Sequence, residues 1–151
     1  MPRVTIEMLE GRSLDQKRAL AREIAAAIAE CYKLPMRTGM VRFVDVKLED
    51  FASGGELRWD TSLREGHIVY GRILEPRITI QCLEFYTREM ERNLVKRISE
   101  KVSEILEAKP SDVKIYMQKM KNDQYATAGV LASDSIPAEW QSGDIHQHRN
   151  K

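Results

Sequence analysis

Cysteine is scarce in this chain. There are two in 151 residues, Cys31 and Cys82. Two thiols cannot build a multi-bridge framework, and both sit in apolar periodic stretches. They read as small buried hydrophobes of a protein kept in a reducing compartment. Long apolar runs are also missing. None approaches the ~20 residues that span a bilayer, and Arg3, Glu7 and Glu10 interrupt any apolar signal region at the start. Together these absences predict a cytoplasmic protein with no membrane partner. An excess of one charge is lacking too: 24 Lys and Arg against 23 Asp and Glu leave a net +1. That excludes steering of the whole molecule toward nucleic acid, so any anion specificity must come from individually placed Arg or Lys. His146 and His148 have no third ligand in view. They read as part of a polar chain end, and neither metal nor cofactor is expected.

The sequence does contain a repeat. Pro2-Arg3-Val4-Thr5-Ile6-Glu7-Met8-Leu9-Glu10 returns as Pro76-Arg77-Ile78-Thr79-Ile80-Gln81-Cys82-Leu83-Glu84, 74 residues later. Val4, Ile6 and Met8 alternate with Thr5 and Glu7, the period of a strand. Gly11 permits a tight exit, and Ser13 with Gln16 forms a capping box for a helix. The helix carries one apolar stripe, Leu20, Ile24, Ala27, Ile28 and Cys31. Ala25, Ala26 and Ala27 keep it slim, and it should end near Leu34-Pro35. Met40 to Val46 reads as the next strand, and Ser53-Gly54-Gly55 as a turn.

Shifting the stripe by 74 gives Leu94, Ile98, Val102 and Ile105, all apolar, with Thr87 where Ser13 stood. The second copy then continues into a strand over Val113 to Gln118. The predicted class is therefore α/β (α+β): two tandem β-α-β units whose parallel strands are joined by right-handed crossovers. One unit is too small to bury a good core, so the two should share one. The expected segments are a first unit (1–55), a connector (56–75), a second unit (76–132) and an irregular tail (133–151). The connector should hold a short strand near His67 to Ile73, and Trp140 could anchor the tail.

Pro2 follows Met1, so removal of Met1 leaves a secondary amine that no other position can supply. The reference pKa of an α-amino group is about 8, and desolvation or nearby cations lower it. Such a base, beside arginines that hold anions, can move protons on carbons next to carbonyls. Pro76 is internal, and its amide nitrogen has no usable basicity.

Pro2, Leu9-Glu10-Gly11-Arg12-Ser13, Asp15-Gln16-Lys17, Pro35, Phe51 and Gly54-Gly55-Glu56-Leu57 together resemble the 4-oxalocrotonate tautomerase family of the tautomerase superfamily. Residues 76 to about 131 resemble a diverged second copy, as in the fused members. The resemblance implies one four-stranded sheet with both helices on one face and a homotrimer of fused chains. It implies Pro2 as general base for a small unsaturated acid, converting a 2-hydroxydienoate such as 2-hydroxymuconate to its 2-oxo-enoate isomer. It also implies Arg12 as a carboxylate ligand and Phe51 as the aromatic pocket wall. The family's second arginine falls at Met40 in a gapless alignment, or at Arg42 after a two-residue insertion. Lys114 stands at the matching place in the second copy, either as a ligand shared between units or as a solvated charge. Phe85-Tyr86 replaces Gly11-Arg12, so one working site per chain is expected. Two other readings stay open. One is a hydratase-dehalogenase of the cis-3-chloroacrylate type (or a decarboxylase), with Asp45 as the water-activating carboxylate and with Lys119 and Tyr86 departing from the pattern. The other is a non-catalytic oligomeric module that keeps Met1.

Overall fold

The computed structural model of the protein describes residues 2–65 and 76–135. Each copy of the repeat folds into the same succession of elements. The first contains β1 (Arg3–Leu9), α1 (Leu14–Tyr32), β2 (Met40–Val46), the two-residue strands β3 (Ala52–Ser53) and β4 (Glu56–Leu57), and α2 (Arg58–Glu65). The second contains β5 (Arg77–Leu83), α3 (Arg88–Leu106), β6 (Lys114–Met120), β7 (Ala126–Thr127), β8 (Val130–Leu131) and the single turn α4 (Ala132–Ser135). Up to the last helix, every element starts 74 residues after its counterpart, so the duplication is gapless in space as well as in sequence. The connector strand expected near His67 to Ile73 and the tail with Trp140, His146 and His148 lie outside the described residues.

The sheet order is β2-β1-β5-β6. β1 and β5 run parallel to their own second strands and antiparallel to each other. Thr5 faces its own counterpart, Thr79, across the central pair, so a pseudo-twofold axis passes between them. Val4, Ile6, Met8, Ile78, Ile80 and Cys82 point to one face of the sheet and are fully buried under α1 and α3. The two helices lie side by side there, linked at their surface by ion pairs Arg97–Glu30 and Lys101–Glu23. Arg3, Thr5 and Glu7 alternate to the other face of the sheet, away from α1 and α3.

The capping box at Ser13 forms as expected, with Gln16 N donating to Ser13 Oγ at 3.1 Å and Ser13 N to Gln16 Oε1 at 2.9 Å. Thr87 caps α3 with its hydroxyl alone, which accepts from Met90 N. The helix ends differ from expectation. α1 stops at Tyr32, because Lys33 turns left-handed (φ 52°) and its N–H closes on Ala29. The last buried residue of its stripe is Tyr32, while Cys31 is only partly buried. In α3 the same holds for Leu106 over Ile105. The ridge Leu20, Ile24, Ile28 advances by four, and Tyr32 continues it, whereas a step of three rotates Cys31 off the sheet. The second strand of the repeat also lies further on than expected, at Lys114–Met120. The alanines of α1 serve the close approach anticipated for them: a Cβ on Gly39 would sit 2.9 Å from Ala25 Cα. None of the described helices is long and apolar enough to cross a membrane.

Candidate active site

Pro2 lies just before β1 and is buried. Arg3 pairs with Gln81 on β5, so one step beyond it Pro2 falls at the level of Cys82. The antiparallel pairing thus brings the C-terminal end of β5 to Pro2, and with it side chains of the second unit. On the helix side these are Cys82 and Tyr86, which meet Tyr32 of α1. The Tyr32 and Tyr86 rings stack at 3.7 Å between centroids, 13° from parallel. Burial pushes the Tyr32 hydroxyl far above its ordinary range, and the neighbouring Cys82 thiol and Glu91 carboxylate push the same way. Burial likewise raises the Cys82 thiol. Glu91 is itself buried and takes the Lys119 ammonium at 2.6 Å. On the open face, a cleft of about 190 Å³ is lined by Arg3, Gln81, Met120 and Tyr125. Tyr125 separates it from a second cleft of about 250 Å³, walled by Leu83, Thr127, Val130 and Ala132.

Arg12 and Phe51 stand at the opposite end. β1 is seven residues long, so about 20 Å of strand at ~3.3 Å per residue separates Pro2 from the turn that carries Arg12. There Arg12 Nη1 donates to the Leu106 carbonyl at 3.1 Å, at the C-terminus of α3. Burial lowers the Arg12 pKa, partly offset by Glu107. Phe51 lies under the Arg77 guanidinium, 5.9 Å from Cζ to the ring centroid. Both residues therefore stand at the Pro76 end of the sheet. Lys114 belongs to the same end: it sits opposite Arg77, and its ammonium donates to the Ser111 carbonyl at 2.9 Å. Arg42 and Met40 share the open face of the edge strand β2, opposite Thr5 and Arg3 respectively. Met40 is thus the nearer of the two to the Pro2 end. Asp45 pairs with Lys17 at 2.7 Å and lies level with Met8, toward the Pro76 end.

Within one chain, then, the structure does not bring Pro2 together with Arg12, Phe51 or Lys114. The cleft at Arg3, the residue after Pro2, is instead lined by Arg3, Gln81, Met120 and Tyr125, which sequence reasoning did not single out. Tyr125 is the counterpart of Phe51, and Tyr86 that of Arg12, by the 74-residue shift. That shift was visible in the sequence. What was not visible is that the copies pair antiparallel, which exchanges the walls of the two sites. Among the described residues no group of three or more His, Cys, Asp or Glu is arranged to hold a metal ion.

Comparison with known proteins agrees with this duplicated architecture. A family model described as "Tautomerase enzyme" matches the chain twice, over residues 2–61 and 76–135. The 2-hydroxymuconate tautomerase of Bacillus subtilis (strain 168) is 37% identical over 59 residues, covering 39% of this chain and 95% of that protein. The protein of the same name from Pseudomonas putida is 39% identical over 57 residues, covering 38% and 90%. Among solved structures, a fused 4-OT wild-type asymmetric trimer superposes with a TM-score of 0.74 at 14% identity, over 89% of this chain and 99% of that one. A member of the cis-3-chloroacrylic acid dehalogenase family superposes with a TM-score of 0.66 at 16% identity, over 97% and 89%. At these identities the solved structures share the fold.

Proposed function

The chain belongs to the tautomerase enzyme family, and on that premise we propose that it is a cofactor-independent isomerase of small unsaturated 2-hydroxy and 2-oxo acids of the 2-hydroxymuconate kind. Pro2 is the general base once Met1 has been removed. The observation that carries the reading is the placement of Pro2: it is buried at the mouth of a duplicated β-α-β fold, with a cleft opening beside the next residue. Its counterpart Pro76 has only an amide nitrogen.

The chemistry needs one base and no redox partner. The proline nitrogen accepts the proton of the 2-hydroxyl, the C2–O bond becomes a carbonyl, the double bonds shift along the chain, and the same proton is delivered to carbon. Desolvation in general disfavours the protonated form of an amine, which suits a secondary amine in such a place to take a proton near neutral pH.

The assembly belongs to the proposal. The face of the sheet turned away from α1 and α3, and its edge strands β2 and β6, carry exposed Met40 and Tyr116. A trimer of fused chains, the state named for the fused relative above, would cover that surface. Arg42 and Lys114 lie on those edge strands, so a neighbouring chain receives them as substrate ligands. Arg12 and Phe51 act at a Pro2 only if another chain presents them. The first unit (1–55) supplies the base, and the second unit (76–132) supplies scaffold and wall. Two unpaired thiols support a reducing, cytoplasmic setting. The hydratase-dehalogenase reading gains nothing here, since Asp45 is engaged by Lys17 away from Pro2.

The test is ketonisation of 2-hydroxymuconate followed by ultraviolet absorbance, after intact mass has established loss of Met1. Pro2→Ala should lose about 10²–10⁴-fold in turnover, and Pro76→Ala should retain it. Equal losses in both variants would contradict the reading. Retained Met1 would favour the non-catalytic module.

A further inference from the structure

An ion pair stands behind the floor of the Pro2 end, on the helix side of the sheet. Three strands form a row there. Pro2 lies just before β1, Cys82 on β5 is at its level, and Lys119 on β6 is the register partner of Cys82. α3 lowers Glu91 onto the end of this row, where its carboxylate takes the Lys119 ammonium at 2.6 Å. The Glu91 side chain is 7% exposed, and Arg88 Nη1 lies 3.9 Å from it. Both charges of the pair are felt along the row: burial raises the Cys82 thiol, and there Glu91 adds to the rise while Lys119 opposes it. The groups between the pair and Pro2 add no charge of their own. The Cys82 thiol and the Tyr32 hydroxyl are both raised by burial and stay neutral, and the Tyr86 ring is stacked on Tyr32. Tyr125 lines the open face. The other charges at this end, on Arg3, Lys33, Arg37, Glu84, Arg88 and Lys121, belong to exposed residues. The first unit has the same bridge with its charges exchanged, Lys17 on Asp45. It stands toward the proline whose nitrogen is an amide, and its carboxylate side chain is 43% exposed. The shielded carboxylate is the one toward the proline that can titrate.

We propose that Glu91 and Lys119 are positioning residues for the reaction at Pro2: held closed behind Cys82, the pair presents almost no net charge to the proline nitrogen and so sets the pH at which that nitrogen can act as a base. This rests on the tautomerase reading for the role of the nitrogen and adds what tunes it. Strands ~4.8 Å apart put Lys119 two spacings, about 10 Å, from Pro2. Opposite charges 2.6 Å apart nearly cancel at that range. One charge alone does not. At an effective dielectric of ~20, a unit charge about 10 Å away moves a titration by about one pH unit. The path runs through buried side chains, so salt screens it little. A neighbouring chain packs against the other face of the sheet. What it adds there, Arg42 and Lys114 included, is common to the parent and to every variant of the pair.

The experiment uses the full chain with Met1 removed and its prolines isotopically labelled at nitrogen. The Pro2 nitrogen is titrated by NMR, and kcat/KM for 2-hydroxymuconate is measured as a function of pH. Glu91→Gln leaves the Lys119 cation uncompensated. It should lower the Pro2 titration and the acid limb of kcat/KM together, by about 0.5–1 pH unit. Lys119→Met leaves the carboxylate uncompensated and should raise both by a similar amount. The double variant Glu91→Gln with Lys119→Met removes both charges and should return close to the parent. Loss of packing alone would not give shifts of opposite sign that cancel. Circular dichroism checks that each variant is folded; if Lys119→Met is not, Glu91→Gln, which keeps the size of the side chain, decides by itself. Shifts of the same sign, or a Pro2 titration unmoved in a folded single variant, would overturn the proposal. If the Pro2 nitrogen shifts as expected but turnover survives Pro2→Ala, the tuning by the pair stands and the base reading falls. If turnover needs Pro2 but its titration ignores the pair, the reverse holds.

Discussion

The duplicated ion pairs make a sharp test of how this core is built. Lys17 and Asp45 of the first unit correspond to Glu91 and Lys119 of the second, so the same helix-to-strand bridge recurs with its charges exchanged. The second version is the more buried one on its helix: the Glu91 side chain is 7% exposed and Lys119 37%. Lys119→Met keeps the aliphatic stem and removes the ammonium. At 2.6 Å and an effective dielectric of ~20, the lost attraction is about 6 kcal/mol. Two features reduce the net cost. Lys119 is partly exposed and keeps some of its hydration in the parent protein, which screens the pair, and Arg88 Nη1 remains 3.9 Å from Glu91. A buried carboxylate deprived of its partner costs about 3–5 kcal/mol, so we expect about 2–3 kcal/mol here. In a chain of this length that lowers Tm by roughly 4–12 °C. Urea unfolding at fixed chain concentration, followed by circular dichroism, measures it. The double variant Glu91→Lys with Lys119→Asp copies the first unit's arrangement and should return to within about 1 kcal/mol of the parent. Arg97→Met, which breaks the more exposed pair with Glu30, should leave the urea midpoint nearly unchanged. The reasoning fails if Lys119→Met costs no more than Arg97→Met. It also fails if the exchanged pair is no better than the single variant.

Other outcomes follow from single positions. Ala128 holds a left-handed φ of 52° where the first unit has Gly54 at 62°, so Ala128→Gly should stabilise the β7–β8 hairpin by about 0.5–1 kcal/mol, read as a higher urea midpoint. Gly39→Ala drives a Cβ to 2.9 Å from Ala25 Cα and 3.1 Å from its Cβ, and should destabilise by about 1–3 kcal/mol in the same assay because α1 must shift. Burial raises the pKa of both Cys82 and Tyr32 in the folded chain. The folded state therefore keeps protons that the unfolded state releases, and stability should fall as pH rises above about 8.5–10; a pH series of unfolding free energies that rises or stays flat there would contradict this. For the same reason Cys82 should resist thiol reagents at pH 8 in the folded protein and react once urea unfolds it.

Much of the fold was legible locally. Alternation in Val4, Ile6 and Met8, the Ser13–Gln16 box and the recurrence of Pro76 to Glu84 determine strand, helix start and duplication, because each depends on neighbours within a turn or on a fixed shift of 74. The end of the α1 stripe was less legible, since Cys31 and Tyr32 are both apolar enough, and only the sheet beneath selects the residue that continues the Leu20–Ile24–Ile28 ridge. The composition of the site was decided by tertiary structure. A residue list carries no direction for the pairing of two copies, and parallel or antiparallel contact of β1 with β5 would bury the same alternating faces. In the folded chain the two strands pair antiparallel, with Thr5 on Thr79. It sends Arg12 and Phe51 to a proline without a basic nitrogen, and it gives Pro2 the tyrosines of the other copy.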